Sequence, residues 1–144
     1  MNRCMVVQVV VLSLIAGRAQ AGSNAAASHS DIERLLDAIA SVESNDNARA
    51  VGDKGRAVGT YQIHKRYWRD GTRILGVDWS YDLARDPVKA RQVVKAYLLR
   101  YGKGKTLLQK ARIHNGGPRG YRKEATLAYA RKIAKVLQQD HRES

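Results

Sequence analysis

Cysteine is nearly absent: the 144-residue chain has one, Cys4, so no disulfide can form within it. Long apolar runs are missing too. The best candidate, Met5 to Ala16, is broken by Gln8 and Ser13 and falls short of the roughly 18 to 20 residues a spanning helix needs, which argues against a stable membrane anchor. Met1-Asn2-Arg3 precedes it and the small residues of Ala19-Gln20-Ala21 follow, the layout of a secretory signal peptide with cleavage after Ala21. Residues 22–29 then read as a short flexible segment and 30–144 as one domain. Cleavage would remove 21 of the 144 residues, Cys4 among them, leaving 123 with no disulfide and no attachment cysteine. That pattern fits a secreted or periplasmic protein of a bacterial envelope, held by its core alone. A chain of this size buries about 65–70% of its unfolded surface, enough for one domain.

Acidic residues are also scarce, 13 against 26 Lys and Arg, for a formal charge of +13. The leader carries Arg3 and Arg18 and no acid, so cleavage would leave +11. From Pro87 to Gln139 fourteen basic residues face a single acid, Glu124. Such a surface predicts anionic partners, which for an exported protein means envelope polymers. Nucleic acid is disfavoured, because no recognition module with base-contacting spacing is present. The four histidines, His29, His64, His114 and His141, are scattered without paired spacing and do not argue for a metal; His29 and His141 read as solvated. No cofactor motif and no repeat appears, and the expected state is a monomer.

What is present begins with Glu43. Ile32, Leu35, Leu36 and Ile39 form one apolar stripe of a helix from Ser30 to about Glu43, with Ser30 and Glu33 as a capping box. Continuing the stripe four residues beyond Ile39 lands on Glu43, so its carboxyl is predicted to face inward at the negative end of the helix dipole. Both conditions disfavour the ionised form, as a general acid requires. Turn residues follow: Ser44 to Asn47, Gly52-Asp53-Lys54-Gly55 and Gly59, read as a small β-hairpin that could bring Asp53 or Asp46 opposite Glu43.

Thr60 is then expected to cap a helix from Tyr61 to about Asp70, which carries Gln62, His64, Tyr67 and Trp68, and Gln and aromatic side chains beside a carboxyl suit a sugar cleft. Asp86-Pro87 opens another helix that ends at Gly102, with Ala90, Val93, Val94, Tyr97, Leu98 and Tyr101 as its buried stripe. Leu107 to about His114 forms a shorter one, closed by Asn115-Gly116-Gly117-Pro118. The last runs from about Arg122 to Gln138, with Leu127, Ala130, Ile133, Ala134 and Leu137 facing inward. Trp79 and Tyr81 read as packing residues. The predicted class is mainly α, with about five helices and one small β element.

Three motifs in order, Ser41-Val42-Glu43-Ser44, then Gly59-Thr60-Tyr61-Gln62-Ile63 with Tyr67-Trp68-Arg69-Asp70, then Ala111-Arg112-Ile113-His114-Asn115-Gly116-Gly117-Pro118, resemble invertebrate-type lysozymes. The first two also resemble the goose-lysozyme and soluble lytic transglycosylase superfamily. The resemblance covers roughly residues 31–137. It implies a lysozyme-like α+β fold in which Glu43 protonates the bond between N-acetylmuramic acid and N-acetylglucosamine in peptidoglycan. Ser44, Tyr61, Gln62, His114, Asn115 and Gly116 would then bind the glycan.

Two departures matter. Invertebrate-type lysozymes are rich in disulfides, and their second catalytic Asp stands just before a Val-Gly pair, where this chain has Ala50. Asp53 is the candidate replacement. With a second carboxylate the expected chemistry is hydrolysis; with Glu43 alone it is lytic transglycosylation to a 1,6-anhydro product. A non-catalytic, cationic wall-binding or antimicrobial protein is the further alternative. Isopeptidase activity, known in some of these lysozymes, would need Ser44 paired with His64 or His114, and the sequence does not establish such a pair.

Overall fold

The computed structural model describes the backbone of residues 20–143 and the side chains of residues 30–139. The signal-peptide reading lies outside the described residues except at Gln20 and Ala21, as do the side chains of His29 and His141.

Helix α1 spans Gln20–Ser44, starting ten residues before the predicted Ser30. Ala25-Ala26-Ala27 are strong helix formers, and the segment 22–29, expected to be flexible, is helical. Ser30 therefore lies inside the helix and makes no capping box. The carboxylate of Glu33 pairs instead with Arg91 and Lys95. Ile32, Leu35, Leu36 and Ile39 are all buried, as their spacing requires.

Asn45 and Asp46, both at positive φ, end α1 and reverse the chain. Three two-residue strands follow, β1 (Val51–Gly52), β2 (Ala57–Val58) and β3 (Ile63–His64), in an antiparallel sheet of order β1-β2-β3. The third strand replaces the expected start of a helix at Tyr61. Gly59 at φ +74 and Gln62 at φ +46 fold the chain back, so helix α2 begins only at Lys65 and runs to Leu75. Thr60 caps nothing; its hydroxyl is buried without a hydrogen-bond partner.

Helix α3 (Pro87–Tyr101) forms as expected, with the Asp86 carboxylate accepting from the backbone N–H of Val88 and Lys89. Helix α4 (Leu107–Gly116) starts in a capping box between Thr106 and Gln109. Helix α5 (Leu127–Glu143) starts five residues later than predicted, because 3₁₀ turns at Gly120–Arg122 and Glu124–Thr126 take up the intervening chain. The Thr126 hydroxyl donates within this stretch, to the carbonyls of Gly120 and Lys123. Leu127, expected inside, is 38% exposed because it opens the helix at its outer end, whereas Ala130 and Ile133 are buried.

The fold is mainly α with one small sheet. Helix α1 packs against α3, α4 and α5, α2 lies on α3, and Leu35, Leu36, Ile39, Val93, Leu98, Ile113 and Ile133 fill the space between them. Trp79 and Tyr81 pack at the core's margin, where the Trp68 indole donates to the Trp79 carbonyl and the Tyr81 hydroxyl to that of Ile63.

Charge ties α1 to α3. Arg91 donates to Glu33, to Asp37 and to the Tyr61 hydroxyl, and Lys95 pairs with Glu33. Hydrogen bonds from Lys95 and then Arg91 hold the Glu33 carboxyl below its usual acidity range. A depressed folded-state value means this stabilisation is fully present above the unfolded carboxylate range and lost as pH falls through the folded one. Glu33→Gln should therefore lower Tm at neutral pH and flatten its decline on acidification, a difference that thermal melts at stepped pH would register.

Candidate active site

Glu43 ends the buried face of α1, one turn beyond Ile39, and its side chain is 19% exposed. It lines a cleft of about 750 Å³. Three other helices supply the groups around its carboxylate. His114 of α4 places Nε2 3.4 Å from Glu43 Oε1, and its side chain is only 4% exposed. The other ring nitrogen, Nδ1, lies 3.2 Å from the Tyr67 hydroxyl of α2. Tyr129 of α5 brings a buried hydroxyl without a well-formed hydrogen bond. Burial, and then the Glu43 charge beside it, push the ionisation of Tyr129 far above the ordinary phenol range. Tyr67 is raised likewise, by burial first and then by Tyr97 and Glu43. Its ring stacks on Tyr97 with centroids 3.8 Å apart and meets His114 edge-on.

Asp53 enters the same cleft from the sheet side, in the 3₁₀ turn Asp53–Gly55 that joins β1 to β2. Its carboxylate is oriented from both sides, with Oδ1 2.7 Å from the Arg56 guanidinium and Oδ2 3.4 Å from His64 Nε2. Its φ of +46 is one that non-glycine residues rarely adopt, and such strain clusters at functional sites. Gln62, also at positive φ, donates its side-chain amide to the Gly59 carbonyl at 3.0 Å. The Gln62 oxygen lies against Gly52, where any Cβ would overlap it.

The fold thus brings Glu43, Asp53, Gln62, His114, Asn115 and Gly116 to one cleft. It does not bring Tyr61 or Ser44 there. Because the chain turns at Gln62 rather than running on as a helix, Tyr61 points away from Gln62 into the core, 2% exposed, with its hydroxyl taking a hydrogen bond from Arg91. Ser44 Oγ donates to the Thr60 carbonyl at 2.8 Å and accepts from the Asn47 N–H, which pins the sheet to the end of α1.

The sequence did not single out Tyr97 or Asp70 as cleft residues, nor Tyr129 as a neighbour of Glu43. Tyr97 looked like one more residue of a buried stripe, and no local motif surrounds Tyr129. Arg66, Arg119 and Lys123 add positive charge along the cleft. Among the described residues no group of three or more His, Cys, Asp or Glu could hold a metal ion. No described helix is long and apolar enough to cross a membrane.

Comparison with known proteins adds to this geometry. The family model described as Destabilase matches residues 33–136. The lysozyme of Meretrix lusoria is 36% identical over 112 residues, covering 72% of this chain and 88% of the relative. The Ostrea edulis lysozyme is 47% identical over 75 residues, 49% of this chain and 53% of the relative. Lysozyme 1 of Crassostrea virginica is 34% identical over 109 residues, 70% and 57% respectively. The chain therefore spans most of the first relative but little more than half of the other two. Among solved structures, a chain in the crystal structure of Aeromonas hydrophila PliI in complex with Meretrix lusoria lysozyme superposes with a TM-score of 0.63 at 33% identity. That match covers 72% of this chain and 88% of that one.

Proposed function

The chain belongs to the destabilase family of invertebrate lysozymes, and from that premise we propose that it is a muramidase hydrolysing the β-1,4 bond between N-acetylmuramic acid and N-acetylglucosamine in peptidoglycan. The enzyme class is a glycosidase of the lysozyme kind. Glu43 is the general acid: it protonates the glycosidic oxygen as the bond breaks and is left as a carboxylate. Asp53 is the second carboxylate, stabilising or trapping the oxocarbenium-like sugar until water completes the reaction.

One observation carries this reading: Glu43 and Asp53 arrive from different elements, α1 and the turn after β1, and line one cleft. Asp53 also stands three residues after Ala50, which occupies the position expected for the family's acid. Asp53 and Lys54 both take positive φ in that turn. Gln62, Asn115 and Gly116 supply amide and backbone groups suited to sugar hydroxyls and acetamido groups. The substrate lies outside the plasma membrane, so the place of action is the envelope or the exterior, in keeping with the leader-like character of residues 1–21.

Mass spectrometry of the muropeptides released from purified peptidoglycan tests the proposal. Hydrolysis yields products with free reducing ends, and Asp53→Asn should reduce their rate of formation. If the products carried 1,6-anhydro-muramic acid, Asp53 would have no part in the reaction. The enzyme would then be a lytic transglycosylase working through Glu43 alone.

A further inference from the structure

Beside Glu43 in the cleft, His114 and Tyr67 form a polar pair, with His114 Nε2 turned to the Glu43 carboxylate. We infer that His114 is a positioning residue, held by Tyr67 as the neutral Nε2–H tautomer, so that it donates to Glu43 Oε1 and leaves Oε2 to carry the proton given to the substrate. The inference rests on the reading of Glu43 as general acid.

Among the described residues, the only hydrogen-bond partner of the Tyr67 hydroxyl is His114 Nδ1, at 3.2 Å. Tyr67 is half-buried, its ring stacked on Tyr97, and its ionisation lies well above the ordinary phenol range, so it is a protonated phenol. Its proton therefore needs an acceptor, and Nδ1 is the one in reach. A His114 carrying its proton on Nδ1, whether as the other tautomer or as imidazolium, would leave that phenol proton without a protein acceptor among the described residues. The lone pair of Nδ1 thus faces Tyr67 and the N–H of Nε2 faces Glu43.

Nε2 and Oε1 stand 3.4 Å apart, in contact without a formed hydrogen bond, and catalytic contacts of this kind tighten in the substrate complex. An oxygen that accepts from an N–H is the worse place for the carboxyl's own proton, so that proton resides on Oε2. When Glu43 gives it up, the new charge meets His114 Nε2–H, already in place beside it. The Tyr129 hydroxyl, buried without a hydrogen-bond partner, stands in reserve near the same carboxylate. A donor oriented before the charge develops needs little reorganisation at the moment of transfer.

A long-range proton–nitrogen correlation spectrum of the full-length, ¹⁵N-labelled protein reads the tautomer directly, and His114→Gln assigns the signal among the four histidines. The expected pattern is a protonated Nε2 with a bare Nδ1. Tyr67→Phe keeps the stacked ring and removes the lock; it should give a mixture of tautomers and lower kcat about tenfold with KM nearly unchanged. His114→Gln offers an amide N–H close to the place of Nε2–H and should retain most of the turnover, whereas His114→Leu should lose about a hundredfold. A protonated Nδ1 in the wild type would overturn the inference, and so would a Gln variant no better than Leu. Neither result touches the role of Glu43. That reading would fall if Glu43→Gln kept its turnover, whatever the tautomer.

Discussion

Glu43→Gln is expected to abolish lysis while leaving glycan binding in place. The amide keeps the shape of the carboxyl and can still accept from His114, but it has no proton to give. The loss in kcat should be about 10² to 10⁴-fold, the usual contribution of a positioned general acid, with KM little changed. Turbidity assays on bacterial walls give the first quantity and sedimentation with insoluble peptidoglycan the second. The burial of the site makes the contrast sharp. Few other groups in the cleft can lend a proton at this point, because Tyr67 and Tyr129 are held far from ionising. A merely cationic wall-binding protein, acting through its basic helices, would be indifferent to the substitution. Retention of full lysis would therefore remove Glu43 from the chemistry and return that alternative to first place.

Gly59→Ala is expected to damage the fold more than any conservative change on the surface. Gly59 sits at φ +74, and a Cβ there would overlap the backbone carbonyl oxygen of Ala84, which cannot swing aside as a side chain could. Left-handed strain and a backbone clash together should cost about 3 kcal/mol, or about 10 °C in Tm for a domain of this size. Gly55→Ala separates the two causes. Its φ is +90, yet nothing lies within 4 Å of the added carbon, so only the strain remains, about 1 kcal/mol. Calorimetry on the pair would show whether the clash is the larger part. Activity should fall along with stability in Gly59→Ala, because the Gln62 amide is anchored on the Gly59 carbonyl. Equal melting temperatures for the two variants would contradict this account.

The helices were legible in the sequence to the extent that they bury a stripe. The spacing of Ile32, Leu35, Leu36 and Ile39 located α1 and the inward aim of Glu43, and Asp86-Pro87 located α3 almost to the residue. What the stripe could not show was where a helix stops being the cheaper conformation. The Ala-rich segment carries α1 back past Ser30, and the carbonyls of Gly120 and Lys123 capture Thr126 and delay α5. The largest misreading came from Gln62. A glutamine at φ +46 is rare enough that no local pattern announces it, and its turn converts an expected helix into β3 and sends Tyr61 to the core. The cleft's polar partners were half visible. His114, Asn115 and Gly116 were named because they lie together in one motif. Tyr129 was not named, because its relation to Glu43 exists only across the packing of α1 on α5.

That packing also bears on how the protein fails. The first and last described helices lie side by side, with Arg34 of α1 donating to the Leu137 carbonyl of α5. Glu43 stands on one of them and Tyr129 on the other. Loosening of either helix therefore reaches the carboxylate at once, and little of the structure can melt while the catalytic geometry survives. The chain's one cysteine can form no internal cross-link, so heating leaves nothing covalent to scramble. For such a molecule inactivation and unfolding are expected to coincide. Recovery on cooling then depends on apolar surfaces and the α1–α3 ion pairs finding one another again, with no covalent step to wait for.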